Sequence, residues 1–162
     1  MDHCEWMNVK TIKICAPALK SCIIHDSPPD GMENIDCHVK VDAQSLISLN
    51  YMSLGSCEYS FPNLCLLVTA SVNIKRREGR HVYHKLYNWT TKFLKEISKA
   101  KILTLANGTF EKLFENHPEK PEFSNMTHLI VESYSTFRVR YLLDLLLSSP
   151  NVESLVLPTT SH

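Results

Sequence analysis

The sequence predicts an α/β chain in which short parallel strands form one curved sheet, with helices or loops on the convex side. Three observations support this prediction. A six-residue pattern, apolar-x-x-apolar-x-apolar, returns throughout the 162 residues. Its last three copies end at Leu105, Val131 and Leu157, at one constant interval. Stretches with helical periodicity separate these copies, and strand, helix, strand is the order that a parallel sheet with right-handed crossovers requires.

The six-residue pattern is clearest in the second half of the chain. Residues 100–105 read AKILTL, residues 126–131 read MTHLIV and residues 152–157 read VESLVL. A period of roughly 20 to 29 residues with this apolar spacing is typical of leucine-rich repeats, in which each unit buries its apolar side chains only against its neighbours. The pattern therefore predicts a leucine-rich-repeat solenoid, which indicates a binding scaffold.

Less regular copies of the pattern precede these three, so we expect a single array over residues 1–162 with about six to seven irregular repeats. The predicted strands lie near residues 9–14, 19–24, 46–51, 67–72, 100–105, 126–131 and 152–157. The step from Ile14 to Ile24 is shorter than the crossover that parallel strands normally need. Either the first unit is a degenerate end coil, or one of these two strand predictions is wrong.

The segments between the strands differ along the chain. Residues 87–100 and 137–147 carry apolar stripes at helical spacing, and Pro150 follows the second stripe in a position that stops a helix. Between the earlier copies, the proline-containing runs at 28–31 and 61–63 predict turns and extended connections rather than helices.

Composition argues against charged partners and against a membrane segment. The formal net charge is +0, so the chain has no general electrostatic attraction to nucleic acid or to an anionic membrane. No run approaches the roughly 18 consecutive apolar residues that a membrane span needs. We expect no membrane partner and do not expect nucleic acid, and the basic cluster at 75–81 is interpreted as a solvated loop.

The 6 cysteines are interpreted as reduced thiols of an intracellular protein, located in the cytoplasm, the nucleus or both. They contain no C-x-x-C pair, whereas a disulfide framework or a four-ligand zinc site calls for closer pairing. The first residues also lack the charged start and apolar run of a secretory signal. We expect no metal and no cofactor.

The sequence carries no recognised catalytic motif. It contains no G-x-S-x-G, no H-E-x-x-H and no glycine-rich phosphate loop among only 4 glycines. The pairs His25-Asp26 and Cys37-His38 come nearest to a catalytic arrangement, but adjacent side chains on a strand point apart. We therefore expect a protein that is not an enzyme.

Five segments carry a resemblance to a known family. They are CAPALKSCII at 15–24, VDAQSL at 41–46, LTLA at 103–106, FSNMTHL at 123–129 and LSSPNVESLVL at 147–157. They resemble the repeat region of plant F-box/leucine-rich-repeat proteins, the group that often ends in an FBD domain. The resemblance covers the chain from about Val9 to Leu157, and the last segment is its most specific part.

The resemblance implies a role in substrate recognition. In that family an F-box docks on the adaptor of a cullin-type ubiquitin ligase, and the repeats bind the protein substrate. We expect neither an F-box before Val9 nor an FBD domain after the last strand, so the adaptor is a partner only if a longer form contains an F-box. The alternative is a truncated structural or regulatory leucine-rich-repeat fragment, including an immune-receptor-like one, with no ligase role.

The candidate binding residues follow from the pattern itself. Its apolar positions point inward, so the residues between them lie on the exposed concave face of the sheet. Their mixture of apolar and short polar side chains is compatible with a protein partner. The candidates are Lys20, Ser21, Ile23, Ile47, Ser48, Asn50, Lys101, Ile102, Thr104, Thr127, His128, Ile130, Glu153, Ser154 and Val156.

Overall fold

Nine parallel strands and two helices make up the part of the chain that the computed structural model describes, which is residues 9–27, 37–54, 57–74, 83–106, 109, 121–132 and 139–157. The strands are β1 (Thr11–Cys15), β2 (Ser21–Asp26), β3 (Cys37–Asp42), β4 (Ser48–Ser53), β5 (Cys57–Ser60), β6 (Thr69–Ile74), β7 (Ile102–Ala106), β8 (His128–Glu132) and β9 (Ser154–Val156). The helices are α1 (Tyr83–Ile97) and α2 (Val139–Leu147).

The strands form two parallel sheets. The large sheet contains β2, β4, β6, β7, β8 and β9 in that order, and the small sheet contains β1, β3 and β5. From β1 to β6 the chain therefore alternates between the small sheet and the large sheet. Each successive pair of strands in this half contributes one strand to the small sheet and one to the large sheet. In the second half, α1 lies between β6 and β7, and α2 lies between β8 and β9.

The short step between the first two strands has a simple explanation. β1 pairs with β3 and β2 pairs with β4, so β1 and β2 lie in different sheets and need no crossover between them. Neither alternative that the sequence suggested is required. Both segments contain a strand, and the first belongs to the small sheet.

The six-residue pattern did not predict β3 and β5. Their sequences, CHVKVD and CEYS, alternate in burial from one residue to the next over most of their length, which is the signature of a strand with one covered face. In β3, Cys37, Val39 and Val41 are buried. The small sheet therefore occupies part of the side of the molecule for which the sequence predicted helices or loops.

Both predicted helices are present; α2 ends at Leu147 as predicted, residues 137 and 138 lie outside the described residues, and α1 has different ends from those predicted. α1 begins before residue 87 and ends at Ile97, and its stripe of Trp89, Phe93 and Leu94 is buried as predicted. α2 buries Tyr141, Leu142 and Leu145 on one face. Neither helix is long and apolar enough to cross a membrane. The basic cluster at 75–81 lies outside the described residues.

A recurring turn precedes most strands of the large sheet. In each of these turns the backbone N–H of the pattern's first apolar residue donates to the carbonyl oxygen three residues earlier, over 3.0 to 3.3 Å. The bonds join Leu19 to Ala16, Leu46 to Ala43, Ala100 to Ile97, Met126 to Phe123 and Val152 to Ser149. The chain consequently has the same backbone geometry before each of these strands. This geometry keeps the apolar residues of successive copies at equivalent positions.

One continuous core fills the space between the large sheet and the opposite layer. Its centre is an aromatic cluster of Tyr51 from β4, Tyr59 from β5, Phe61, and Trp89 and Phe93 from α1. The ring centroids of Tyr51 and Phe93 are 4.8 Å apart, and those of Trp89 and Phe93 are 5.3 Å apart. The indole Nε1–H of Trp89 donates to the Tyr59 carbonyl oxygen over 2.6 Å. The cluster thus joins both sheets to α1.

Glu96 provides a polar link between α1 and the segment that follows β5. Its Oε2 accepts a hydrogen bond from the Phe61 backbone N–H at 2.7 Å. Burial raises the pKa of Glu96, and the Phe61 N–H, Lys92 and His38 oppose this rise only in part. The folded chain therefore binds a proton at Glu96 more tightly than the unfolded chain does.

This raised pKa predicts a pH-dependent effect of Glu96→Gln. The contribution of Glu96 is most favourable below its ordinary value of 4.5 and is lost as the pH rises through the higher folded-state value. The variant should therefore gain stability relative to the wild type over the pH range that begins near 4.5 and extends upward through the raised pKa of Glu96. Urea denaturation across this range measures the difference, with the exposed Glu122→Gln as control. Parallel pH profiles for the wild type and Glu96→Gln would contradict the assignment.

Candidate functional site

The register of the large sheet aligns its exposed side chains in rows that cross the strands. One row contains Ser21, Ser48, Thr69, Ile102, His128 and Ser154, and the next contains Ile23, Asn50, Ser71, Thr104, Ile130 and Val156. A further row lies at the strand starts and contains Lys20, Ile47, Val68, Lys101, Thr127 and Glu153. From Ile47 onward, the backbone N–H of each of these residues donates to the carbonyl oxygen of the one before it in the row. We refer to these three rows as the exposed face.

All the candidate residues of the sequence analysis lie on the exposed face. Each of them is exposed or half-buried, whereas the inward neighbours in the central strands are buried, as Leu49, Leu103 and Leu129 show at 1%, 0% and 0% exposure. The candidate residues from five separate segments are therefore brought together on one continuous surface.

The sequence-based selection omitted the strand at the middle of this surface. β6 contributes Thr69 and Ser71, and Val68 directly precedes it; these three residues complete the three rows between β4 and β7. The signal was present, because residues 67–72 follow the same apolar spacing as the other copies. Beyond the row that contains Ile23, the register adds His25, opposite Met52, which in turn lies opposite Asn73.

The centre of the exposed face is uncharged and, apart from the half-buried Ile102, its side chains in the first two rows are polar. On β4, β6 and β7 it presents the hydroxyl and amide side chains of Ser48, Asn50, Thr69, Ser71 and Thr104. Each of these groups can both donate and accept hydrogen bonds. At its centre, the exposed face can therefore accept hydrogen bonds from the backbone N–H groups of a partner and donate to its carbonyl oxygens. No charged side chain has to lose its water there.

Apolar side chains flank this polar centre. Ile23 on β2 is 67% exposed and Val156 on β9 is 50% exposed. Val156 lies opposite Ile130 on β8, so the two form an apolar pair at one side of the face. Exposed branched side chains of this kind are suitable anchors for a partner's apolar groups.

Charged residues lie mainly along one edge of the exposed face, at the strand starts. Lys20 and Lys101 are exposed there, and Glu153 lies at the far end of the same row. In the row beside them, the His128 Nδ1 lies 2.9 Å from the Thr127 Oγ1. The Thr127 hydroxyl also donates to the Lys101 carbonyl oxygen at 3.3 Å. These bonds hold His128 in place at the boundary between the charged edge and the uncharged centre.

The His25-Asp26 pair lies at the end of β2, and its two side chains have separate surroundings. His25 is exposed, whereas the Oδ2 of Asp26 accepts hydrogen bonds from the Ser53 hydroxyl at 2.8 Å and from the Cys57 backbone N–H at 3.1 Å. Because Ser53 is on β4 and Cys57 is on β5, Asp26 links the two sheets. Its position is that of a structural carboxylate.

The Cys37-His38 pair lies at the start of β3, with Cys37 buried. The Nδ1 of His38 is 3.7 Å from the Glu58 Oε2, and its Nε2 is 3.3 Å from the Ser60 hydroxyl. This order of groups resembles a serine, histidine and acid arrangement. Ser60 is only 6% exposed, however, and the next backbone N–H, that of Phe61, is already bound by Glu96, so it is not available to stabilise an oxyanion.

Within the described ranges, no group of three or more histidine, cysteine, aspartate or glutamate residues could hold a metal ion. The exposed face is the surface on which the structure brings the sequence-predicted residues together.

Comparison with known proteins relates the chain to one group of plant proteins. It is 26% identical over 164 residues to the F-box/LRR-repeat protein At4g14096, 28% identical over 169 residues to the F-box/LRR-repeat protein At4g14103, and 26% identical over 165 residues to the putative F-box/FBD/LRR-repeat protein At3g59240, all of Arabidopsis thaliana. Each match covers 100% of this chain and 34%, 44% and 32% of the respective relative.

These matches confirm the resemblance to plant F-box/LRR-repeat proteins that the repeated segments indicate. The chain spans about a third to less than half of the length of these relatives. No protein-family model matches the chain, and no solved structure matches it.

Proposed function

We propose that this chain, a relative of the plant F-box/LRR-repeat proteins, is the substrate-recognising repeat region of an F-box-type subunit of a cullin-based ubiquitin ligase. The observation that carries the proposal is the exposed face: a continuous surface with an uncharged centre, built on a ladder of equivalent strands, in a chain whose relatives are named for their F-box and their repeats. This role corresponds to a protein of the cytoplasm or the nucleus.

The proposed architecture is a leucine-rich-repeat solenoid whose concave side is the large sheet. Its strands follow one another in chain order, and the same turn precedes most of them. The small sheet and the two helices form the opposite, convex layer. A regular stack of this kind presents many side chains from separate segments on one surface, which is how repeat proteins bind other proteins.

The chemistry of the exposed face supports a protein partner. Protein interfaces have a core depleted in charged residues, with apolar anchors and a polar surround. The exposed face has its uncharged groups at the centre, the anchors Ile23, Ile130 and Val156 at the sides, and the lysines Lys20 and Lys101 at one edge. Because the lysines lie at the edge, they affect the rate and orientation of association more than the affinity.

A matched pair of substitutions tests binding at the exposed face. Val156→Asp introduces a charge at an anchor that is 50% exposed, and Leu66→Asp introduces the same charge at a turn residue that is 57% exposed and lies off the face. The wild-type chain is used to recover a partner from plant extract, and affinities are then measured with the purified partner. We expect Val156→Asp to weaken binding about tenfold or more and Leu66→Asp to leave it unchanged. Equal effects of the two variants would contradict binding by this face.

A second experiment separates substrate binding from the ligase role. We expect residues 1–162 to bind the substrate without binding purified ligase adaptor, whereas a protein in which the same residues follow an F-box should bind both. The substrate should then be ubiquitinated in a reconstituted cullin ligase, and the Val156→Asp substitution should suppress that reaction. Substrate binding without ubiquitination would support binding by the exposed face and would contradict the ligase role.

A further inference from the structure

Two buried cysteines lie directly opposite each other in the small sheet. Cys37 begins β3 and Cys57 begins β5, and the parallel register pairs these two residues. Both side chains point into the core, with Cys37 2% exposed and Cys57 4% exposed. Both thiols are free in the structure.

The backbone spacing at this position is suitable for a disulfide. Neighbouring strands of a sheet lie about 4.7 to 4.9 Å apart, and the Cα atoms of disulfide-bonded cysteines lie about 4.4 to 6.8 Å apart. A disulfide also requires the Cβ atoms to approach to about 3.5 to 4.5 Å, slightly closer than the strand spacing.

We propose that Cys37 and Cys57 form a redox-sensitive dithiol that hydrogen peroxide converts into a disulfide across β3 and β5. In the first step the sulfur of one cysteine, as its thiolate, attacks a peroxide oxygen, so that the O–O bond breaks and a sulfenic acid and water form. In the second step the other thiol attacks the sulfenic sulfur, the S–S bond forms and a second water leaves. The two thiols are oxidised by two electrons in total, and the peroxide is reduced to two waters.

The surroundings of Cys57 favour its protonated thiol while the strands remain paired. Burial raises the pKa of the Cys57 thiol to about 12, and the nearby Asp26 carboxylate and Cys37 act in the same direction. The thiolate is the reactive form, so attack by Cys57 on peroxide at neutral pH is slow while the strands remain paired. We expect separation of the strand starts, which would admit water and peroxide to the two thiols, to control the rate of the reaction.

The disulfide would convert the segment from Cys37 to Cys57 into a covalently closed loop. The segment between Cys37 and Cys57 contains the rest of β3 and all of β4, which belong to different sheets. A cross-link around such a segment reduces the conformational freedom of the unfolded chain. We expect the oxidised protein to melt about 5 to 10 °C higher than the reduced protein.

The test treats the full chain with hydrogen peroxide, blocks the remaining thiols with iodoacetamide under denaturing conditions and maps them by mass spectrometry. We expect Cys37 and Cys57 to lose their thiols together, in one cross-linked peptide pair, faster at pH 9 than at pH 7. Dithiothreitol should restore both. Cys57→Ala and Cys37→Ala should each abolish the cross-link and the rise in melting temperature, while Cys15→Ala and Cys65→Ala, at exposed thiols, should retain both.

Two outcomes would overturn the proposal. One is complete alkylation of Cys37 and Cys57 after peroxide has already oxidised the exposed thiols Cys15 and Cys65. The other is a Cys37–Cys57 cross-link that forms only after urea has unfolded the chain, because the folded register would then have no part in bringing the thiols together.

Discussion

Leu105→Asp is expected to lower the free energy of unfolding by about 3 to 5 kcal/mol, or to prevent folding. Leu105 is 0% exposed at the third apolar position of its copy, and its strand lies between β6 and β8 in the middle of the large sheet. An aspartate there would place a carboxylate in an apolar environment with neighbours on both sides. Because β7 lies between β6 and β8, the aspartate side chain could not reach water by bending around an edge of the sheet.

Lys101→Asp is the control for this experiment, because Lys101 precedes the same strand and its side chain is exposed. It should change the free energy of unfolding by about 0.5 kcal/mol or less. Urea denaturation followed by circular dichroism gives both values. Equal destabilisation by the two variants would mean that the inward and outward positions of this strand are interchanged.

Phe93→Ala is expected to cost about 3 to 5 kcal/mol. The Phe93 ring is 0% exposed and lies within 5.9 Å of the ring centroids of Tyr51, Phe61 and Trp89. Its removal would leave a cavity at the junction of the two sheets and α1, and the surrounding rings cannot fill that cavity without abandoning their mutual contacts.

Lys92→Ala tests the specificity of that loss, because Lys92 is the preceding residue of α1 and is exposed. It should alter stability by about 0.5 kcal/mol or less. Thermal and urea unfolding of both variants measure the difference. A cost below about 1 kcal/mol for Phe93→Ala would show that α1 does not pack on the sheets as described.

The strands of the large sheet could be predicted because their sequence repeats a spacing. Leu103, Leu129 and Leu155 occupy equivalent positions and pair with one another across β7, β8 and β9. A periodic pattern reports which residues share an environment, and in a stack of equivalent units that information is sufficient to place the inward and outward side chains. The exposed face follows from the same spacing, including β6, which the selection of candidates omitted.

The small sheet could not be predicted from that spacing, because its strands carry a different signal. β3 alternates apolar and polar residues over a short length, and β5 has four residues, too few for alternation to be distinctive. Their pairing depends on contacts between distant segments, such as the Cys57 N–H that donates to Asp26. Nothing local in the sequence specifies which strand lies beside which.

The turn before each strand has a consequence for how such a chain can change in evolution. Lys101, Thr127 and Glu153 occupy equivalent places, since Thr127 donates to Lys101 and Glu153 donates to Thr127 through the same backbone groups. Loss of the segment from Lys101 to Met126 would join Ala100 to Thr127. Ala100 occupies the first position of its copy of the six-residue pattern and Thr127 the second position of the next copy, so the joined chain would still follow the pattern. Whole units can therefore be gained or lost by duplication and deletion without a shift in register, and the length of the exposed face can vary while its geometry is inherited.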